Sequence, residues 1–440
     1  MFYLNKNVEL DTGLLQKMIS RFHLNEEPRL RKYKNYYDGI QKILQKTYAD
    51  ASKPCSKTII NYCKNIADCY AGYLATPGFI SYKSDEDIEM IMDILRYNDY
   101  QYEDNALLLD ALVYGVAAEL MYIDEQGKTR FRLINPTSCF AICDDSLSGD
   151  LLYFVRMYKV NEWDDSDVYN VDVYSNFNVK HYTMNGMNGQ LALVGEEVHH
   201  FGQCPANILV LPDEKSIFDC IIGLQDAVNE VLSSEIDDYS AFCDAYLVIT
   251  GADVGEEEAI NIRTNRVMVL PEAAKAEWLT KAANDTQVEN ILKRIHDSIY
   301  RVAQCPDFSS DSFVGGVASG IAIQYKLTGM ENKAGSIEAT MKKALQRRVE
   351  IICGIASLKI GEEIFRDIEI DFKRNVPEDL TSTINIINAL KGTVSDATLL
   401  SQLDFVSDVN AELEAVKEQR AENMSLYSFS SPGFTEEDDE

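Results

Sequence analysis

The 440-residue chain combines 46% hydrophobic residues with a formal net charge of -30. The hydrophobic content is sufficient for a sizeable core, and the length indicates about two to four domains. The acidic charge argues against a nucleic-acid-binding surface, because such surfaces normally carry basic clusters. No apolar stretch approaches the ~18 residues that a membrane-spanning helix needs.

The cysteines predict free thiols rather than a disulfide framework. No two of them form a C-x-x-C pair and most stand among apolar neighbours, so we expect buried thiols in a reducing compartment and no zinc site. The first residues, MFYLNKNVELDTG, lack the basic and then apolar pattern of a signal peptide, which favours a cytoplasmic chain. The ten cysteines are Cys55, Cys63, Cys69, Cys139, Cys143, Cys204, Cys220, Cys243, Cys305 and Cys353.

The first part of the chain is predicted to be helical. Roughly the first 50 residues, including the basic and aromatic run RLRKYKNYYDGI, have a helical pattern. The next helix is predicted in SKTIINYCKNIADCYAGYLATPG and ends before Pro77 and Gly78. Two further helices are predicted in DEDIEMIMDILRYND and YEDNALLLDALVYGVAAELMYI. The apolar stripe of the helix before Pro77 comprises Ile59, Ile60, Cys63, Ile66, Ala67 and Tyr70.

A β-rich region follows these helices. The segments FRLINPTSCFAICDD, LLYFVRMYKV and DVYNVDVYSNFNVKHYTM alternate like strands, and NGMNGQ supplies turn residues. Pro205 and Pro212 close this region.

From Ser216 onward, two apolar-striped helices are predicted to flank a small insert. The first has about six turns, and the second ends at Pro306. In the insert, residues 247–285, AYLVITG and NRVMVLP read as strands around a GEEEAINIR helix. The stripe residues are Ile217, Ile221, Leu224, Val228, Val231, Leu232 and Ile236 in the first helix, and Val288, Ile291, Leu292, Ile295, Ile299 and Val302 in the second.

The last third of the sequence begins with a polar, glycine-containing loop at residues 304–319. A long helix is predicted over 320–357, with the basic cluster Lys342, Lys343, Arg347 and Arg348. The segment IFRDIEIDFKRNVP predicts a strand that ends before Pro377, and short helices follow it. The final FTEEDDE predicts a disordered acidic tail.

Known catalytic and metal-binding motifs are missing. There is no G-x-x-x-x-G-K-[ST], H-E-x-x-H or G-x-S-x-G. The His199–His200 pair is expected at the surface, and DDSDVYNVD lacks the glycine and final glutamate of a calcium loop. We therefore expect a protein that is not an enzyme and that holds neither a metal nor a cofactor.

Several segments resemble the portal proteins of tailed bacteriophages, of the type found in siphophages and prophages of Gram-positive hosts. The most diagnostic is ILKRIHDSIYRVAQCPDFSSDSFVGGVASGIAIQYKLTGMENKA, which is similar to the family's second stem helix, tunnel loop and long wing helix. IFDCIIGLQDAVNEVLSSEIDDYSAFCDAYLVITG resembles the first stem helix leading into the clip. In the turn that follows Gly72 and Tyr73 and contains Pro77, which resembles a turn of the family, Ala75 stands where glycine is common.

The resemblance implies an α+β fold that is mainly helical and assembles into a ring. It divides the chain into the parts that the family contains. These are N-terminal helices and wing (1–213), stem helix 1 (214–246), an α/β clip (247–285), stem helix 2 (286–303), the tunnel loop (304–319), the long wing helix and strand (320–376), a helical crown (377–430) and the acidic tail (431–440).

The resemblance also implies a function. Such subunits form a closed ring of about twelve, or about thirteen when recombinant, around a channel at one capsid vertex. Double-stranded DNA passes through it during packaging and ejection. The expected partners are the terminase large subunit, a head-completion adaptor, and capsid and scaffold proteins, with no membrane. The protein is then expected in the virion, and in the host cytoplasm during assembly.

Two groups of candidate site residues follow from this resemblance. The tunnel loop would face DNA with glycine hinges and small hydroxyls that touch phosphates without fixing them. Lys293, Arg294 and Arg301 would contact DNA or acidic residues of a neighbouring subunit, and the cluster at 342–348 is expected to pair within its helix or between subunits. The loop candidates are Asp307, Phe308, Ser309, Ser310, Asp311, Ser312, Phe313, Val314, Gly315, Gly316, Ser319 and Gly320.

Three alternatives remain open on the residues alone. A glycine-rich loop before a helix is often only a connection. The chain would otherwise be another virion head or connector protein, although those are generally shorter, or a cytoplasmic enzyme without a recognised motif. The net charge of -30 suits a conduit that repels the DNA backbone better than it suits a DNA-binding module.

Overall fold

The fold is taken from a computed structural model of the chain. The structure describes residues 1–50, 53–159, 163, 167–186, 189–242, 246–250, 275–279, 285–309, 320–355, 364–375, 380–400, 403, 409 and 412–419. Two compact units are distinguished. The first comprises residues 1–314 and 326–375, and the second comprises 315–325 and 376–440.

The first 50 residues are largely helical, as predicted. Helix α1 (Thr12–Arg21) begins at Asp11, whose carboxylate accepts the Leu14 N–H at 2.6 Å. A π-helical turn (Phe22–Glu26) joins it to α2 (Glu27–Tyr37). The short strand β1 (Phe2–Leu4) precedes them and was not predicted.

Helix α3 (Tyr62–Leu74) starts later than its apolar stripe indicated, because Asn61 caps it and Ile59 and Ile60 precede the cap. It ends before Pro77, as predicted. Helix α4 (Glu89–Tyr97) also confirms its prediction.

The helix predicted through YEDNALLLDALVYGVAAELMYI is wrong in its second half. Helix α5 (Tyr100–Tyr114) ends at Gly115, and Val116–Ile123 form strand β3. Gly115 has φ +85, and a Cβ there would lie 2.6 Å from the Glu214 carbonyl oxygen. The chain therefore turns at the one residue type that tolerates this conformation and this approach.

The β-rich region forms two sheets. Its strands after β3 are β4 (Thr129–Ile134), β5 (Cys139–Asp144), β6 (Leu151–Lys159), β7 (Val168–Tyr174), β8 (Asn178–Asn185), β9 (Ala192–Val198) and β10 (Ala206–Val210). A six-stranded sheet has the order β1-β5-β6-β7-β8-β9, in which β1 is parallel to β5 and the other neighbours are antiparallel. A three-stranded antiparallel sheet has the order β10-β3-β4.

One apolar cluster joins the two sheets. Its buried members come from strands of both sheets and from the residues next to them. They are Ala118, Leu120, Ile134, Cys139, Phe154, Cys204 and Ala206.

The predicted pair of helices around a small insert is present. Helix α6 (Ile222–Phe242) follows a short 3-10 turn, and helix α7 (Asp285–Ala303) packs against it. In the insert, strand β11 (Tyr246–Thr250) confirms the AYLVITG prediction and pairs antiparallel with β12 (Lys275–Leu279), which was not predicted. The predicted strand NRVMVLP and the GEEEAINIR helix lie outside the described residues.

The predicted long helix is α8 (Gly320–Cys353), 34 residues in length. Strand β13 (Glu369–Phe372) follows and pairs with β2 (Ile80–Lys83), so the chain returns to its N-terminal part. The short helices α9 (Leu380–Leu390) and α10 (Asp396–Leu400) confirm the helical prediction for the following segment. The acidic tail lies outside the described residues.

The interior of the first unit contains a fully buried arginine. Arg348 donates from Nε and Nη2 to the two carboxylate oxygens of Glu119, at 2.9 and 2.7 Å, and it also pairs with Asp104. Its guanidinium lies 4.5 Å from the centre of the Phe131 ring. These contacts tie the long helix to α5 and β3.

Candidate functional site

The predicted apolar stripes of α6 and α7 are only partly covered within one chain. Val228 and Ile299 are buried, as a packed helix pair requires. Ile236, Ile291 and Val302 are exposed by 39%, 40% and 46%. The two stripes are therefore wider than the contact between the two helices.

A second, polar stripe on α6 was missed by the sequence prediction. Gln225, Asn229, Ser233 and Asp237 stand four residues apart on one helix face, and all four are buried. Each accepts a hydrogen bond from a backbone N–H of the extended segment that leads into α3. The pairs are Tyr62 with Gln225 at 2.9 Å, Ile60 with Asn229 at 3.3 Å, Thr58 with Ser233 at 3.0 Å and Ser56 with Asp237 at 2.5 Å.

The spacing of this polar ladder follows from backbone geometry. Four helical residues advance about 6.0 Å, and two extended residues advance about 6.6–6.8 Å. Helix side chains four apart therefore meet alternate N–H groups of an extended chain. The ladder supplies acceptors for four backbone N–H groups of a segment that is not itself part of a strand. Asn229 also donates to Gln41 Oε1 at 2.5 Å, which extends the network towards α2.

Hydrogen bonds from two other helices hold the residues at the end of α7. The Tyr70 hydroxyl donates to the carbonyl oxygens of Ala303 and Gln304, at 3.1 and 3.0 Å. Lys333 Nζ from α8 donates to the Ala303 carbonyl oxygen at 3.4 Å. Gln304 has φ 56, a left-handed conformation that ends the helix. We call Ala303, Gln304 and Cys305 the loop root.

Two thiols meet at the loop root. The Cys305 thiol donates to the Cys69 sulfur of α3, and the two Sγ atoms lie 3.3 Å apart. This hydrogen bond lowers the pKa of Cys69 and raises the pKa of Cys305. Burial lowers the pKa of the neighbouring Lys333 and raises the pKa of Tyr70.

Three of the predicted loop residues lie directly after this root. Asp307 Oδ1 accepts the Ser309 N–H at 3.0 Å and the Ser309 hydroxyl at 2.6 Å. Its Oδ2 lies 3.6 Å from Nε2 of His296 on α7. Phe308 is exposed.

The remaining loop candidates divide into two groups. Gly320 is the first residue of α8. The others lie outside the described residues, namely Ser310, Asp311, Ser312, Phe313, Val314, Gly315, Gly316 and Ser319.

The basic candidates fall into two groups. Lys293, Arg294 and Arg301 are all exposed on α7. On α8, Lys342 pairs with Glu338 at 2.9 Å and Arg347 pairs with Glu350 at 2.8 Å. These two confirm the prediction of pairing within the helix, whereas Arg348 pairs inside the same chain with α5 and β3.

Within the described ranges, no group of three or more His, Cys, Asp or Glu side chains is arranged to hold a metal ion. The described helices include none with the length and apolar character needed to cross a bilayer. The nine described cysteines are free thiols, of which Cys220 is exposed.

Comparison with known proteins supports the resemblance found in the sequence. The family described as "Phage portal protein, SPP1 Gp6-like" matches residues 16–426. The "Portal protein" of Bacillus phage SPP1 is 20% identical over 448 residues, covering 93% of this chain and 87% of the relative. A family match over nearly the whole length favours the portal interpretation over another head component or an unrecognised enzyme. The chain belongs to the SPP1 Gp6-like family of phage portal proteins.

Proposed function

We propose that this chain assembles into a closed ring, of about twelve subunits, that forms the DNA channel at one capsid vertex. The observation that carries this proposal is the fixed loop root. Tyr70 and Lys333 hold the end of α7 from two other helices, so the segment 304–319 starts from a rigid frame. A loop that contacts moving DNA needs such a frame, because only then is its movement confined to the loop.

The uncovered apolar residues of the stem helices support ring formation. Ile236, Ile291 and Val302 are exposed in the single chain. Exposed apolar side chains on packed helices gain from burial against a neighbour. We propose that adjacent subunits cover them in the ring.

The loop is proposed to face the DNA. Residues 307–320 supply hydroxyls and glycines, which touch phosphates without the salt-dependent affinity that several cationic contacts would produce. Lys293, Arg294 and Arg301 provide limited cationic contacts to DNA or to a neighbouring subunit. The net charge of -30 per chain is consistent with a conduit that releases the DNA it carries.

The division into wing, stem, clip, tunnel loop and crown is part of this proposal. The clip, 247–285, is the proposed docking site for the terminase large subunit and later for a head-completion adaptor. Among the described residues, β11 and β12 pair with each other alone, so each leaves an edge that a neighbouring strand can extend. Capsid and scaffold proteins would contact the outer parts of the ring. We propose no catalytic step for the chain itself.

Light scattering on the eluted peak, followed by negative-stain images, tests the ring. We expect a mass about twelve or thirteen times 49.6 kDa and end-on views with a central hole. Ile291→Asp places a charge on the uncovered stripe and should reduce the assembled fraction. Asn290→Asp, at the adjacent exposed position, is the matched control and should leave the mass unchanged. A monomer at all concentrations and salts would contradict the proposal.

A further inference from the structure

The contact between Cys69 and Cys305 joins two parts of the chain that are distant in sequence. Cys69 lies in α3, and Cys305 stands two residues after the end of α7, 236 positions along the chain. Their Sγ atoms are 3.3 Å apart. A disulfide requires ~2.05 Å between the sulfurs, so closing the bond takes a movement of just over 1 Å.

The two thiols differ in the way that a reactive and a resolving cysteine differ. Cys69 is partly exposed, and the hydrogen bond from Cys305 lowers its pKa. Cys305 is buried, and the same hydrogen bond raises its pKa. Elsewhere, burial raises the pKa of Cys63 and Cys204 to about 12, which keeps those thiols protonated. Oxidants react with thiolates rather than thiols, so Cys69 is the preferred point of attack in this pair.

We infer that Cys69 and Cys305 form an intramolecular disulfide when hydrogen peroxide reaches the partly exposed thiol. The Cys69 thiolate attacks one peroxide oxygen, the O–O bond breaks, and a proton completes a water molecule as Cys69 becomes a sulfenic acid. The Cys305 sulfur then attacks the Cys69 sulfur, loses its proton, and displaces the hydroxyl as a second water. Together the thiols lose two electrons and two protons, and the peroxide is reduced to water.

This disulfide would fasten the loop root to α3. Tyr70 and Lys333 hold the carbonyl oxygens of Ala303 and Gln304 by hydrogen bonds alone. The bond would add a covalent link at the next residue. In a reducing cytoplasm both cysteines stay free thiols, and in an oxidising exterior they form the disulfide. Only this last consequence, a fixed start for the channel loop in released particles, rests on the proposed function.

Peptide mapping tests the inference without any variant. The purified full-length protein is reduced, freed of reductant, treated with hydrogen peroxide, alkylated with iodoacetamide and digested with trypsin. Cleavage gives peptides 65–83 and 302–326, which contain Cys69 and Cys305 as their only cysteines. We expect these two peptides to be linked, with the loss of two alkylatable thiols per chain. Dithiothreitol should restore both thiols.

The exposed Cys220 provides the matched control, because its Sγ lies 4.0 Å from the Val302 carbonyl oxygen, near the same root. Cys220→Ala should retain the linked peptides, and Cys69→Ala should lose them. The linked species should run as a single chain on a non-reducing gel. Three results would overturn the inference. They are a link between peptides 302–326 and 216–263, a link found only in a gel band at twice the chain mass, and oxidation of Cys220 without a link to peptide 65–83. Peptide mapping detects the disulfide whether or not the protein assembles. A failure of ring formation would therefore not affect the test of the disulfide.

Discussion

Replacing Arg348 with Met should cost more stability than any surface change in the first unit. Arg348 is fully buried and holds the charges of two buried carboxylates, Glu119 and Asp104. Met fills most of the volume but leaves both carboxylates without their cation. Removal of one partner from a buried ion pair costs about 3–5 kcal/mol. We expect a loss in that range at pH 8.

The loss should be smaller in acid. Burial raises the pKa of Asp104 above its usual range even with Arg348 present, and removal of the cation should raise it further. A carboxyl group whose folded pKa exceeds its unfolded pKa stabilises the fold below the unfolded pKa of about 4, and this contribution is lost as pH rises through the folded pKa. The variant should therefore regain part of the lost stability at pH 5 relative to pH 8.

Urea unfolding of both proteins at one protein concentration and at both pH values measures this difference. Lys342→Met is the control, because Lys342 is on the solvent side of the same helix and pairs with Glu338 within it. Its cost should stay below about 1 kcal/mol. The reasoning would be refuted by an Arg348→Met loss under about 1 kcal/mol at pH 8, or by equal losses at the two pH values. If the variant is insoluble at pH 8, adding Asp104→Asn and Glu119→Gln should restore soluble protein.

The other predictions concern the ladder, the loop root and the loop. Asn229→Ala removes the acceptor of the Ile60 N–H and the donor to the buried Gln41 side chain, and should lower the free energy of unfolding by about 1–3 kcal/mol; an unchanged urea midpoint would contradict the ladder. Tyr70→Phe removes two hydrogen bonds from the loop root, so amide exchange at Cys305 should accelerate about tenfold or more by mass spectrometry, and unchanged exchange would show that Lys333 suffices. Deletion of 309–316 should leave the ring mass intact while DNA packaging falls, and failure to assemble would assign the loop a structural role.

Local patterns predicted most helices, because an apolar stripe and a stop residue are both local features. The predicted end of α5 was too late in the chain, because YGVAAELMYI is apolar enough to continue a helix. What ends the helix is the close approach of the Glu214 backbone to Gly115, a contact 99 residues away in sequence. A glycine before a run that includes Val116 and Ile123 was the available signal for a turn into a strand.

The candidate site was harder to predict for the same reason. Polar residues four apart on α6 look like a solvated helix face unless the extended segment that covers them is known. The Cys69–Cys305 contact depends on how α3 meets the end of α7, and neither cysteine stands in a recognisable motif. The sequence did indicate where α7 ends, since Pro306 follows its last residue, Ala303, by three positions.

The polar ladder also acts as a mechanical coupling. Its two repeats differ by ~0.6–0.8 Å per step, which adds up to ~2 Å over three steps. Side chains of different length take up that difference, with the short Ser233 and the long Gln225 at different positions along it. If the segment 56–62 shifted by one residue along α6, its backbone N–H groups would point away from the ladder side chains. If it shifted by two residues, each N–H group would meet the wrong side chain. The four hydrogen bonds together therefore hold the segment 56–62 to α6 in a single register.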